Sequence, residues 1–124
     1  MSSDTTVSLA WGIGILMLAL AATAARNAGL VDAETVTRLV MGASGLMIAG
    51  FGNRLPKAFV ASAWARQARR VGGWSLVISG LVHASLFSWA PLPVALAGGS
   101  AAVLEGIAVT LGYCWVQRSK AKLA

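Results

Sequence analysis

Residues 50–73 read GFGNRLPKAFVASAWARQARRVGG, the only long polar stretch in the chain. It holds Arg54, Lys57, Arg66, Arg69 and Arg70, half of the 10 Lys and Arg residues, and no Asp or Glu. Apolar runs flank it on both sides. A cationic segment between two apolar blocks is the pattern of a loop lying on a bilayer surface between two membrane hairpins. Over Leu55–Arg70, the apolar residues Leu55, Phe59, Val60, Ala63 and Trp64 can share one helical face, with Lys57, Arg66, Arg69 and Arg70 over the remainder. That pattern predicts a basic amphipathic helix in the interface, opened by Pro56. Arg54, Lys57, Arg66, Arg69 and Arg70 would meet anionic lipid headgroups at the cytoplasmic face.

Composition points the same way. The 124 residues are 57% hydrophobic and 11% charged, with a mean hydropathy of +0.74. Soluble domains carry about 25% charged residues, so these residues cannot build a water-facing surface. The expected class is all-α: a single transmembrane domain over residues 1–124, a four-helix bundle in a bacterial inner membrane. The net charge of +6 comes from cations at helix ends, not from a basic face on a soluble fold, which argues against nucleic-acid binding.

Four spans are predicted, over about 7–25, 33–52, 73–89 and 94–116, with the basic loop at 53–72. An apolar run of about 20 residues crosses a hydrocarbon core near 30 Å thick. The first span ends in the small residues of LALAATAA, as a signal peptide would, but Asp4 stands where a basic region belongs and no Lys or Arg precedes Arg26. It is expected to be a retained span. Asp32 reads as an N-cap for span two, with Glu34 in the first turn and Arg38 one turn on; Arg38 is expected to snorkel to the headgroups. Gly42, Ala43, Ser44, Gly45, Ala49, Gly50 and Gly52 crowd that span, a signal for close helix approach in lipid. The turn Ala90-Pro91-Leu92-Pro93 separates spans three and four.

With four spans, the basic loop and the C-terminal tail (Arg118, Lys120, Lys122) share a side and hold 8 of the 10 basic residues. The positive-inside rule then places both termini in the cytoplasm.

Two polar residues fall inside spans. Glu105 is the only acid there, beside a row formed by Gly98, Ala102, Gly106 and Thr110, and is expected to pack against another helix. His83, the single histidine, continues a stripe with Ser75 and Ser79. Counted from the intervening turn, the two differ in depth by about 6 Å at 1.5 Å per residue. A hydrogen-bonded His83–Glu105 pair able to handle protons is one reading. A neutral Glu105 bonded to Thr110, a serine or a backbone carbonyl is the other. Haem ligation by His83 would need a second histidine from another chain. Cys114 stands alone, so no internal disulfide or Cys/His metal cluster forms, and the glycines lack the Lys and Ser/Thr of a phosphate loop. No nucleophile, base and orienting residue occur together. Neither catalysis nor a cofactor is expected.

The element Gly52-Asn53-Arg54-Leu55-Pro56-Lys57, followed by Trp64 and by Arg69-Arg70-Val71-Gly72-Gly73, resembles the SdpI-type family of bacterial membrane proteins over about residues 46–81. The family-like positions are Gly52, Asn53, Pro56, Lys57, Trp64, Arg69 and Gly72. Between the two elements the family has an Asn and a Gly-x-Arg, where this loop has Phe59-Val60-Ala61-Ser62-Ala63. The resemblance implies an integral membrane protein tied to immunity against a toxic peptide, and in some members to signalling through a cytoplasmic regulator. Residue chemistry by itself favours an accessory or scaffold subunit that packs with other membrane subunits or with itself. A small proton-coupled oligomeric transporter using Glu105 is a third class. Small multidrug transporters, however, carry their acid in span one, and this span one has none.

Overall fold

The computed structural model describes residues 2–57 and 59–123; Met1, Ala58 and Ala124 lie outside the described residues. Its elements are α1 (Ser3–Asn27), α2 (Ala33–Arg54), a 3-10 turn (Leu55–Lys57), α3 (Ala63–Trp89) and α4 (Leu92–Leu123). The described residues contain four helices long and apolar enough to cross a membrane, and no strand.

Local chemistry explains where each helix stops. Ser2 caps α1, its hydroxyl accepting from the Thr5 N–H at 3.3 Å. At the other end Leu30 N–H donates to Ala25 O and Gly29 N–H to Arg26 O. That paired closure is a Schellman motif, and it needs the left-handed backbone that Gly29 adopts at φ 75°. Gly29→Ala keeps open space around its new methyl but must hold that φ. We expect a stability loss of about 1 kcal/mol in detergent thermal melts.

Asp32 caps α2 as expected, accepting from Thr35 N–H at 2.7 Å. Hydrogen bonds from Thr35 hold its carboxyl below the usual carboxylate range. The cap's contribution is therefore fully present above that range and is lost as pH falls below it, through the lowered value of the folded state. Pro91 and Pro93 end α3 and open α4, Pro93 lying in the first turn of α4, where its missing N–H is no loss.

The basic segment differs from its expected form. It is not one interfacial helix from Leu55 to Arg70. Leu55–Lys57 make a single 3-10 turn, Phe59–Ser62 are non-helical, and α3 begins at Ala63. Ser62 explains the break: its hydroxyl accepts from Ala65 N–H and so caps a new helix. Arg66 locks the preceding chain, donating to the carbonyls of Val60 and Ala61. The cations from Arg66 to Arg70 thus ride on the first two turns of α3 itself.

Consecutive helices pack as antiparallel neighbours, with α3 between α2 and α4, and α1 against α2 over a shorter contact. The interior is made of small residues: Gly45, Ala49 and Gly52 on α2; Gly72, Gly73, Ser79 and Gly80 on α3; Ala95, Gly99 and Gly106 on α4. Among the described residues Phe87 is the one large side chain fully buried, at 1% exposure. Leu9, Ile13, Leu16, Met17 and Leu20 on α1, and Leu104, Leu111 and Trp115 on α4, face outward. Small inside and large apolar outside inverts the rule for a soluble protein, and it suits a hydrocarbon solvent.

Candidate functional site

Two places concentrate the residues that carry chemistry. The first lies at the basic end, where α2 gives way to the 3-10 turn beside the start of α3. Here the two parts of the polar segment meet. A Cβ on Gly73 would fall 2.6 Å from Gly52 O and 2.8 Å from Pro56 Cγ and Cδ, so only glycine permits this approach. The turn leans on α3 and leaves a cleft of about 310 Å³, lined by Gly52, Asn53, Pro56, Lys57, Arg70, Gly73, Trp74 and Val77.

Of the family-like positions, Gly52, Asn53, Pro56 and Lys57 line this cleft, while Trp64, Arg69 and Gly72 do not. Trp64 is exposed on the first turn of α3. Arg69 lines a second cleft of about 800 Å³ with Arg54, Lys57 and the acid Asp4. Gly72 faces α4, where its Cβ would meet Thr110 Cγ2 at 2.9 Å. Among the described residues no protein acceptor takes a hydrogen bond from Arg54, Lys57, Arg69 or Arg70, and the one ion pair is Arg38–Glu34.

The second place is the middle of the bundle. His83 is 5% exposed and wedged among three helices. A Cβ on Gly45 would meet its Cδ2 at 3.0 Å, and one on Gly99 its Nδ1 at 2.9 Å. Its ring lies 4.9 Å from that of Phe87, tilted by 42°. Neither Nδ1 nor Nε2 has a hydrogen-bond partner among the described residues.

Glu105 is exposed on α4. It borders a groove of about 270 Å³ between α3 and α4, with Ser75, Ile78, Ser79, Val82, Ala102, Gly106 and Val109. His83 does not line that groove, and the structure has no His83–Glu105 hydrogen bond. Along α4 it is Gly99 that stands against His83, and Gly106, not Glu105, that meets α3. Gly106 takes the inward position, its Cβ site 2.6 Å from Ser79 Oγ. One residue back, a rotation of about 100° points Glu105 outward. Thr110 does not satisfy it either, since its hydroxyl donates to Gly106 O at 2.8 Å.

No family model, curated protein or solved structure matches this chain.

Sequence reasoning missed one built feature. Arg38 forks: Nη1 donates to Phe87 O at 2.9 Å and to Ala90 O at 2.8 Å. Nε and Nη2 both reach Glu34 Oε1. It ties the start of α2 to the end of α3 instead of reaching for headgroups. The signal available was Pro91, which strips Phe87 O of the N–H four residues on.

Proposed function

We propose that this chain is a small non-catalytic multi-pass membrane protein, an accessory subunit that seats a further transmembrane helix in the α3–α4 groove at Glu105. One observation carries the reading. A carboxyl stands exposed in the middle of an apolar helix, with no protein partner among the described residues. On insertion scales an Asp at a helix centre costs about 2.5–3.5 kcal/mol, and such acids face a bundle interior or a cavity. A neighbouring helix bearing a hydrogen-bond donor covers Glu105 and approaches closely at Ser75 and Ala102, the half-buried small residues of the groove. The positive-inside rule puts the basic end and both termini in the cytoplasm of a bacterium, with the first turns of α3 at headgroup level.

Purification in a gentle detergent with mass spectrometry tests this. The wild-type chain should bring down a stoichiometric membrane partner, another protein or a second copy. Glu105→Leu should weaken that association on the order of tenfold, because interhelical polar contacts in membranes are worth about 1–2 kcal/mol in model peptides. A wild-type chain that purifies alone, or equal recovery with Glu105→Leu, sinks the reading.

A second reading is the SdpI-like immunity or signalling role. It is supported by the way Gly52, Asn53, Pro56 and Lys57 come against Gly73 and Arg70 in one cleft. Protection of a host from a toxic peptide, abolished by substitutions in that cleft, is its distinguishing outcome.

A further inference from the structure

We propose that the cleft between the 3-10 turn and α3 binds the phosphate headgroup of one anionic phospholipid, with the lipid's upper chain lying along Trp74 and Val77. The site is distinct from the Glu105 groove, which lies on the other side of α3, and the inference does not depend on the subunit reading.

The cleft's make-up argues for this occupant. Its lining carries two cations, Lys57 and Arg70, and the amide of Asn53, and no acid. Among the described residues neither cation is neutralised by a protein partner. The adjoining larger cleft, by contrast, includes Asp4. The same lining also includes the apolar side chains of Pro56, Trp74 and Val77. A free phosphate ion would leave those walls uncovered, and a hydrocarbon chain would leave the cations unmatched. A phospholipid matches both.

Size and position agree. About 310 Å³ is at the lower end of small-molecule sites, suited to a headgroup and its glycerol with the chains left in the bilayer. Trp74 is 61% exposed at the cleft's edge, where an indole sits naturally at headgroup depth. The walls are also preformed. Gly52 and Gly73 hold α2 against α3 at backbone contact, and Pro56 is clamped on Gly73. The two cations are therefore presented from two elements packed against each other, the 3-10 turn and α3.

Native mass spectrometry of the full chain from detergent, titrated with phosphatidylglycerol or phosphatidylcholine, tests the proposal. One phosphatidylglycerol should be retained per chain, in clear preference to phosphatidylcholine. The double variant Lys57→Ala/Arg70→Ala should weaken retention on the order of tenfold or more, given the worth of each basic residue at an anionic surface. Arg70→Lys should keep most of it, and Arg118→Ala, in the tail, all of it. Helical melts of each variant show that the fold is kept, both cations being exposed. Equal retention of the two lipids overturns the site, as does a double variant that holds phosphatidylglycerol like wild type. Full displacement by millimolar inorganic phosphate also overturns it, in favour of a plain anion site.

Discussion

Gly80→Ala should force α2 away from α3 and cost about 3 kcal/mol, at the upper end of what overpacking a tight interface takes. The added methyl would stand 2.5 Å from Gly45 O, 2.6 Å from Ala49 N and 3.1 Å from Ala49 Cα. All three are backbone atoms, so no side chain can rotate out of the way. The crossing is reciprocal: a Cβ on Gly45 would lie 2.8 Å from both Gly80 O and Ala84 N. Relief requires the helices to part, and parting them forfeits dispersion contacts along the whole seam. His83 would loosen with them, since Gly45 forms one wall of its pocket.

The same chain supplies its own control. Gly42 lies on the same helix as Gly45, and a Cβ there meets nothing within 4 Å. Gly42→Ala should stabilise slightly, by up to about 1 kcal/mol, from helix propensity. Detergent unfolding curves for the two variants should therefore move in opposite directions. Equal shifts would mean that α2 and α3 do not meet at these glycines.

That crossing also shows what the sequence could and could not convey. Glycine and alanine at Gly45, Ala49 and Gly52 announced a face built for close approach. Which helix came close was not encoded there, because Gly73 and Gly80 are separated from them by the whole basic segment. Four apolar runs with a cap at Asp32 and prolines at Pro91 and Pro93 made the helices legible, since these features act locally. The basic segment misled for the same reason. A face shared by Leu55, Phe59, Val60 and Trp64 is compatible with a helix, but Ser62 offers its hydroxyl as a cap and restarts the chain at Ala63. At the centre, counting from the turn could not give azimuth. Whether Glu105 or Gly106 faces α3 depends on which of the two a serine can tolerate, and the glycine wins against Ser79.

Arg38→Ala should cost about 2–3 kcal/mol, several times the effect of removing its acid partner. Pro91 has no N–H, so Phe87 O loses its normal helical donor, and Pro91 also pushes Ala90 into an extended backbone at ψ 156°. Two carbonyls at the negative end of the α3 dipole are thereby left to one outside donor, and Arg38 Nη1 serves both. Bonds from a charged donor contribute about 1.5–3 kcal/mol, against about 0.5–1.5 for neutral ones. The Arg38 side chain is only 26% exposed, so water replaces it poorly. Glu34, at 54% exposure, aims the guanidinium through a surface ion pair, and Glu34→Ala should cost less than about 1 kcal/mol. Arg38→Lys separates a strap from a snorkel. An ammonium reaches headgroups as well as a guanidinium does, but it cannot hold Glu34 and both carbonyls at once. We expect Arg38→Lys to fall nearer to Arg38→Ala than to wild type in detergent melts, with faster amide exchange in the last turn of α3. If lysine restored full stability, Arg38 would be answering to the lipid and not to α3.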